Sequence, residues 1–143
     1  MTDKIFENKR KIHASVKKIF NAFEDPALLA KWWGPEGFTN TFHIFEFKKE
    51  GIWSFIMHGP DGVNYKNESL FQEISKPNRI VIRHTCEPFF TLTVTIEDVE
   101  GGAVINWHQD FDSEKVARSI AHIVKPANEQ NLDRLQALVT GSE

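Results

Sequence analysis

The stretch KWWGPEGF, residues 31–38, decides how this chain folds. Two adjacent tryptophans, Trp32 and Trp33, end a short helical pattern, and a Gly-Pro turn then leads into a segment with strand-like alternation. Asp25 as N-cap and Pro26 in the first helical position predict where that helix begins. Its apolar stripe consists of Leu28, Leu29 and Trp32. Trp32 is therefore expected in the core, whereas Trp33, about 100° further round the helix, fits either the core or the rim of a cavity.

Outside this stretch, the pattern predicts one strand, two short helices, six further strands and a terminal helix. The first strand covers residues 4–13, and Ser15 caps the first helix. The six later strands cover residues 38–47, 52–58, 63–74, 79–86, 90–99 and 103–111. The turns between them are short, and connections this short favour antiparallel neighbours. We therefore expect these strands to form a meander.

The last segment has the apolar spacing of a helix. Asp112 or Ser113 provides its N-cap, and Gly141 ends it. A proline inside a helix removes one backbone N–H and clashes with the preceding turn. Pro126 therefore predicts a break at residues 124–125, followed by a restart of the helix.

Composition limits the classes of function. The 143 residues suit one domain, 1–143, and a net charge of −3 with scattered Lys and Arg argues against nucleic-acid binding. No apolar run approaches membrane-spanning length, and a single cysteine, Cys86, excludes a disulfide within the chain. We expect a cytoplasmic protein without membrane insertion, in which Cys86 is an inert buried thiol. Twelve Phe and four Trp against one Tyr predict a thick aromatic core or an aromatic pocket.

Four segments resemble the helix-grip superfamily of START-like and polyketide-cyclase-like domains. They are EDPALLAKWWGPEGF (24–38), EGIWSFIMHGPDG (50–62), EISKPNRIV (73–81) and NEQNLDRLQALV (128–139). Within that superfamily the chain is similar to the family related to the C-terminal domain of the activator of heat-shock-protein-ninety ATPase. In that family a glycine pair often precedes the third strand. Here the pair is Glu50-Gly51, so we expect a less tight turn.

The resemblance implies an α+β helix-grip fold. A curved seven-strand antiparallel sheet, in β-α-α-β6-α order, would wrap around the long C-terminal helix that the sequence predicts to be broken near Pro126. An apolar cavity would lie between the sheet and that helix. No cofactor is implied.

Alternation along the strands selects candidates for the lining of that cavity. These residues, predicted to bind a ligand, are Trp33, Trp53, Phe55, Met57, Tyr65, Phe71, His84, Trp107 and Phe111. Asn67 and Gln109 would add polar atoms to the same faces. A second interpretation stays open, in which the aromatic rings meet and fill the space.

The six histidines show no metal-binding spacing, so no metal site is predicted. His84 is the notable one, because alternation with Ile80 and Ile82 aims it at the apolar face, as a satisfied core residue or as a ligand contact. Glu68 falls on the opposite face from Tyr65 and is expected to face solvent. No group of residues is predicted to be catalytic from its spacing.

Three functions are therefore compatible with the sequence. The first is non-enzymatic binding of a small apolar or amphipathic molecule in the cavity. The second is a cyclase-like or dehydratase-like enzyme, for which His84 and Tyr65 are the only candidate pair. The third, from the resemblance alone, is a chaperone partner; it ranks last because the 143 residues include no extra N-terminal domain of the kind found in eukaryotic co-chaperones. A homodimer is compatible with each.

Overall fold

The computed structural model describes residues 3–141. The helices and strands follow one another in the order predicted from the sequence. They are β1 (Ile5–Ile12), α1 (Val16–Glu24), α2 (Pro26–Trp32), β2 (Thr39–Phe45), β3 (Ile52–His58), β4 (Asn64–Ser75), β5 (Arg79–His84), β6 (Phe90–Val99), β7 (Gly102–Phe111) and α3 (Glu114–Thr140).

The strands form one curved antiparallel sheet in the order β1-β7-β6-β5-β4-β3-β2. Strands β2 to β7 pair with their neighbours in sequence, which confirms the predicted meander. Strand β1 pairs with β7 and forms one edge. Because side chains alternate along each strand, the concave face carries a regular set of buried residues. On β6 these are Leu92, Val94 and Ile96.

Capping residues set the helix ends as predicted. The side chains of Ser15, Asp25 and Ser113 each accept a hydrogen bond from a backbone N–H two or three residues later. Such a bond satisfies an N–H that has no partner within the helix. Gly141 ends α3 in the left-handed conformation, with φ of 73°.

Helix α3 is continuous, and the predicted break at residues 124–125 is wrong. Pro126 lies inside the helix and removes the N–H that would bond to the carbonyl of His122. Both residues are exposed, so water can satisfy that carbonyl. Buried residues before and after the proline anchor both halves of the helix to the rest of the fold. They are Ala117 on one side and Leu132, Leu135 and Val139 on the other.

The concave face has a filled part next to α1 and α2. There Trp53 stacks on Phe55 and Phe71, with ring centroids 4.3 and 5.8 Å away. Trp32 packs on Phe23 at 4.9 Å between ring centroids. A second, smaller cluster consists of Phe6, Phe111 and Ala117. A space that the rings do not fill is bordered by Phe55 and Trp107 of the first cluster and by Phe90 and Val124, which pack against the second.

The turn before β3 is tight, although the sequence predicts a less tight turn. Glu50 adopts the left-handed conformation, with φ of 64°, which glycine populates far more readily than other residues. A Cβ atom on Gly51 would lie 2.0 Å from the carbonyl oxygen of Glu46, so only glycine fits there. The turn therefore keeps its tight geometry, and Glu50 bears the backbone strain.

Candidate functional site

A cavity of about 240 Å³ lies between the sheet and α3. Side chains from β3 to β7, from α3 and from the loop after α2 line it. The cavity reaches the surface beside Pro88 and Ile123, and the Ile123 side chain is 59% exposed. Its volume lies between the ~150 Å³ of a cavity that holds benzene and the ~300 Å³ at which typical ligand pockets begin. A small molecule therefore fits.

A larger depression, of about 610 Å³, lies on the outer surface between β1 and α3. Its lining includes Asp3, Glu7, Arg118 and Lys125, and Arg118 pairs with Asp3 at 3.4 Å. Exposed ion pairs of this kind are solvated. We therefore place the candidate site in the cavity under α3, where the lining is mostly apolar and buried.

The loop at residues 33–38, here called the Trp33 loop, closes one end of the cavity and is fastened to α3. The N–H of Gly34 donates to Oδ1 of Asn131 at 2.8 Å. Arg134 donates to the carbonyl oxygens of Lys31, Gly34, Pro35 and Phe38 at 2.7–3.0 Å. Burial lowers the pKa of Arg134, but the guanidinium remains charged and offers a rigid fork of N–H donors.

Gly34 has φ of 102°, and a Cβ atom there would lie 2.7 Å from the methyl carbon of Met57. The positive φ requires glycine after the tryptophan pair, whereas the Met57 methyl is the flexible end of a side chain and could move aside. The chain can therefore turn sharply and leave the Trp33 ring against the cavity.

Trp33 lies at the centre of a tryptophan cluster. Its ring centroid is 5.5 Å from that of Trp32, 5.0 Å from that of Trp53 and 5.6 Å from that of Trp107. Trp32 is 1% exposed, and its Nε1 donates to the carbonyl of Ala22 at 3.0 Å. The two tryptophans therefore differ: Trp32 is core, and Trp33 is half-buried and lines the cavity.

His84 lines the cavity from β5 and is 6% exposed. Nδ1 lies 2.7 Å from the carbonyl oxygen of Pro88, so Nδ1–H donates to it. Burial lowers the pKa of His84, although its hydrogen bond to Pro88 partly opposes the effect. Nε2 lies 2.9 Å from the Asn67 side chain and 3.5 Å from Sγ of Cys86. The Asn67 atom that faces Nε2 is Oδ1, which can only accept, so a neutral ring with Nδ1 protonated requires the Asn67 amide to turn and donate from Nδ2 to Nε2 in place of its bond to the Tyr65 carbonyl.

A row of buried amides lines the cavity between β7 and α3. Nδ2 of Asn128 donates to Oε1 of Gln109 at 3.0 Å, and Asn131 lies one helical turn further on. These three side chains are 5–7% exposed. We call them the amide row, and together with Asn67, Ser69 and His84 they supply the polar groups of an otherwise apolar lining.

The structure brings part of the predicted lining together. The predicted residues that border the cavity are Trp33, Phe55, Met57, His84 and Trp107. Trp53 and Phe71 lie in the filled aromatic cluster, so both interpretations of the aromatic residues apply, at different ends of the sheet. Phe111, one strand repeat beyond Gln109, packs on Phe6 at 5.3 Å in the second cluster.

Tyr65 does not border the cavity either. It is 44% exposed, and its ring packs on Phe38 at 5.9 Å. His84 pairs with Ser69 across the sheet, and Tyr65 lies four residues away from Ser69 along β4, which is about 13 Å. The two side chains proposed as an acid–base pair are therefore not brought together.

Further predictions from the sequence concern Glu68, Cys86, metal binding and membrane insertion. Glu68 faces away from the cavity and accepts a hydrogen bond from Oγ of Ser54. Cys86 is half-buried rather than fully buried. Within residues 3–141, no three His, Cys, Asp or Glu side chains are grouped so as to hold a metal ion. In the same range, no helix is long and apolar enough to cross a membrane.

Sequence reasoning missed Asn128 and Asn131. Polar residues on a terminal helix are usually solvent-facing, so neither was a candidate. The available signal was their spacing, since each lies four residues before a buried leucine, Leu132 or Leu135. That places both on or near the stripe that faces the sheet.

Most of the chain matches one known protein family. The family model described as "Activator of Hsp90 ATPase homolog 1-like protein" matches residues 13–140. No curated protein sequence matches the chain.

Several solved structures share the fold. A protein from Nitrosomonas europaea has a TM-score of 0.88 and 14% identity, over 99% of this chain and 97% of its own. A protein from Arthrobacter aurescens has a TM-score of 0.89 and 23% identity, over 97% of this chain and 87% of its own. An AHSA1-like protein from Aeromonas hydrophila has a TM-score of 0.76 and 17% identity, over 96% and 93%. At these identities the likeness shows the fold alone.

Proposed function

The chain belongs to the family of activator of Hsp90 ATPase homolog 1-like proteins, and from this premise we propose that it binds a small, mostly apolar molecule between the sheet and α3. Folds of this type typically bind hydrophobic ligands. The observation that carries the proposal is the cavity of about 240 Å³, which the surrounding rings leave unfilled. An apolar guest there would gain the contacts that an empty cavity wall lacks.

The proposal is non-enzymatic binding. Its support is the apolar lining, which includes Phe55, Met57 and Trp107, and the opening beside Ile123. The cyclase-like alternative lost its support when Tyr65 proved to lie away from His84.

The test is native mass spectrometry of gently purified protein, before and after organic extraction, followed by NMR titration with ethylbenzene. Bound mass that extraction removes, and shifts in the signals of Phe55, Met57 and Trp107, are the expected results. Ala127 borders the cavity on α3, so Ala127→Phe should fill it and abolish binding. Ala137, on the same helix but at an outer surface depression, provides the control Ala137→Leu. Equal binding by both variants would place the ligand elsewhere.

A further inference from the structure

The amide row has hydrogen-bonding capacity that no other described residue uses. Gln109 and Asn128 bond to each other, and Asn131 bonds to Gly34, which leaves Nε2 of Gln109, Oδ1 of Asn128 and Nδ2 of Asn131. A few buried side-chain nitrogen and oxygen atoms of the protein have neither solvent exposure nor a hydrogen-bond partner, and these three atoms are not among them. Each therefore remains accessible to a small guest, although its residue is more than nine-tenths buried.

The donor and acceptor pattern of the row follows from its bonds. The backbone N–H of Gly34 can only donate, so Oδ1 of Asn131 must accept and Nδ2 is left as a donor. Gln109 and Asn128 share one bond, so whichever way the two amides face, one donor and one acceptor remain between them. The row thus offers a guest two donors and one acceptor.

The cavity carries no charge to meet a charged guest. None of the side chains that border it is Asp, Glu, Lys or Arg. An ion buried without a partner loses its hydration with no compensation, which is far more costly than burial of a neutral polar group. The part of the sheet wall that β3 supplies is apolar, with Phe55 and Met57.

From these three observations we infer that the amide row recognises a neutral head group that both accepts and donates hydrogen bonds, of the carboxamide or lactam class, carried on a small apolar body. The inference rests on the proposed function, because the head group would enter with the molecule that fills the cavity. The carbonyl of such a head group would accept from Nδ2 of Asn131 and from the free donor of the Gln109–Asn128 pair. Its N–H would donate to the acceptor of that pair.

The experiment compares three probes of nearly equal size by NMR titration at neutral pH. Benzamide carries the proposed head group, benzoate carries a charge in its place, and ethylbenzene carries neither. Benzamide should bind at least about tenfold more tightly than benzoate. It should also shift the side-chain amide signals of Gln109, Asn128 and Asn131, whereas ethylbenzene should shift only the apolar lining.

The deciding variant is the double substitution Gln109→Leu/Asn128→Leu. It removes both partners of one buried hydrogen bond and replaces them with apolar groups of similar shape, so the fold should persist. The preference for benzamide over ethylbenzene should fall about tenfold. Asn106→Leu, on β7 but facing away from the cavity, is the matched control and should leave that preference unchanged.

The outcomes separate the two proposals. If ethylbenzene binds in the cavity but the double variant leaves the preference unchanged, or if benzoate binds as well as benzamide, the head-group inference is overturned and the proposed function stands. If none of the probes shifts the signals of Trp33, Phe55 or Trp107, both are overturned.

Discussion

The backbone N–H of Gly34 donates a 2.8 Å hydrogen bond to Oδ1 of Asn131, a residue 97 positions later in the chain. This contact joins the Trp33 loop to the helix that covers the sheet. The same asparagine borders the cavity, so one side chain fastens the loop and presents its remaining amide hydrogens to the cavity. The shape of the cavity therefore depends on the closure of the loop against α3.

The first prediction separates the two adjacent tryptophans. Trp32→Ala should lower the free energy of unfolding by about 3–5 kcal/mol, because its ring is fully packed. Trp33→Ala should cost less stability, because one side of its ring borders open space, yet it should weaken ethylbenzene binding at least about tenfold. Thermal melting and NMR titration of both variants provide the check. A greater loss of stability for Trp33→Ala would contradict this assignment.

The second prediction concerns Arg134, which holds the Trp33 loop by donating to backbone carbonyls. Arg134→Met should lower the free energy of unfolding by about 2–4 kcal/mol, because several carbonyls lose a charged donor. Arg134→Lys should restore little of that loss, since an ammonium cannot reproduce the planar fork. Urea denaturation measures both.

Arg118→Met is the control for this pair, because Arg118 is exposed and forms only surface ion pairs. It should cost less than about 1 kcal/mol. If Arg134→Met costs no more than Arg118→Met, the loop does not depend on the Arg134 contacts.

The order of strands and helices could be predicted because its signals are local. Alternation, a serine or aspartate cap and a short turn each act within a few residues, and Ser15, Asp25 and Ser113 all cap where expected. The rule for Pro126 is also local, but packing of α3 on both sides of the proline overrides it.

The cavity could be predicted only in part, because its lining depends on register and on the rotation of α3. Alternation identifies the concave face, but it does not show where along a strand the rings meet. Alternation therefore predicts correctly that Phe71 and Phe111 lie on the concave face, but it does not predict that they belong to the filled clusters rather than to the cavity lining. Asn128 and Asn131 face the cavity because of the rotation of α3, and their spacing from the buried leucines was the one local signal of it.

The third prediction tests the strain at Glu50. Glu50→Gly should raise the free energy of unfolding by about 0.5–1 kcal/mol, because glycine relieves the left-handed strain but adds freedom to the unfolded chain. Gly51→Ala should destabilise the protein, because its Cβ would meet the carbonyl oxygen of Glu46. The two denaturation midpoints should move in opposite directions, and a fall for Glu50→Gly would refute the assignment.

The fourth prediction concerns the proline inside α3. Pro126→Ala should raise the free energy of unfolding by about 1–3 kcal/mol, since alanine restores the N–H that can bond to the carbonyl of His122. His122→Ala, at an exposed position in the same turn, should change stability by less than about 0.5 kcal/mol. Urea denaturation of the pair is the measurement, and no gain from Pro126→Ala would mean that the hydrogen bond missing at Pro126 does not lower the stability of the protein.

The last prediction follows from the buried imidazole of His84. Burial lowers its pKa below the ordinary value of 6.5, so the folded state holds the ring neutral where the unfolded chain would protonate it. Between those two pKa values the unfolded state binds more protons, and the free energy of unfolding therefore falls as the pH falls. As the pH falls, the loss of unfolding free energy begins near the ordinary pKa of histidine and grows by up to about 1.4 kcal/mol for each pH unit. It stops growing below the folded-state pKa.

Urea denaturation between about pH 5 and 7.5 tests this, because most carboxylates stay ionised there. The exposed His122 gives the control His122→Gln, which should keep the slope of the wild-type protein, whereas His84→Gln should lose part of it. His84→Gln also alters the hydrogen bond to the Pro88 carbonyl, which changes the absolute stability. The comparison uses only the slopes of stability against pH, so this change does not affect the comparison. If His84 instead carried a proton in the folded state, with both ring nitrogens donating, the wild-type protein would gain stability relative to His84→Gln as the pH fell. That sign would show that the cavity holds a buried cation, and it would remove the basis for expecting a neutral guest.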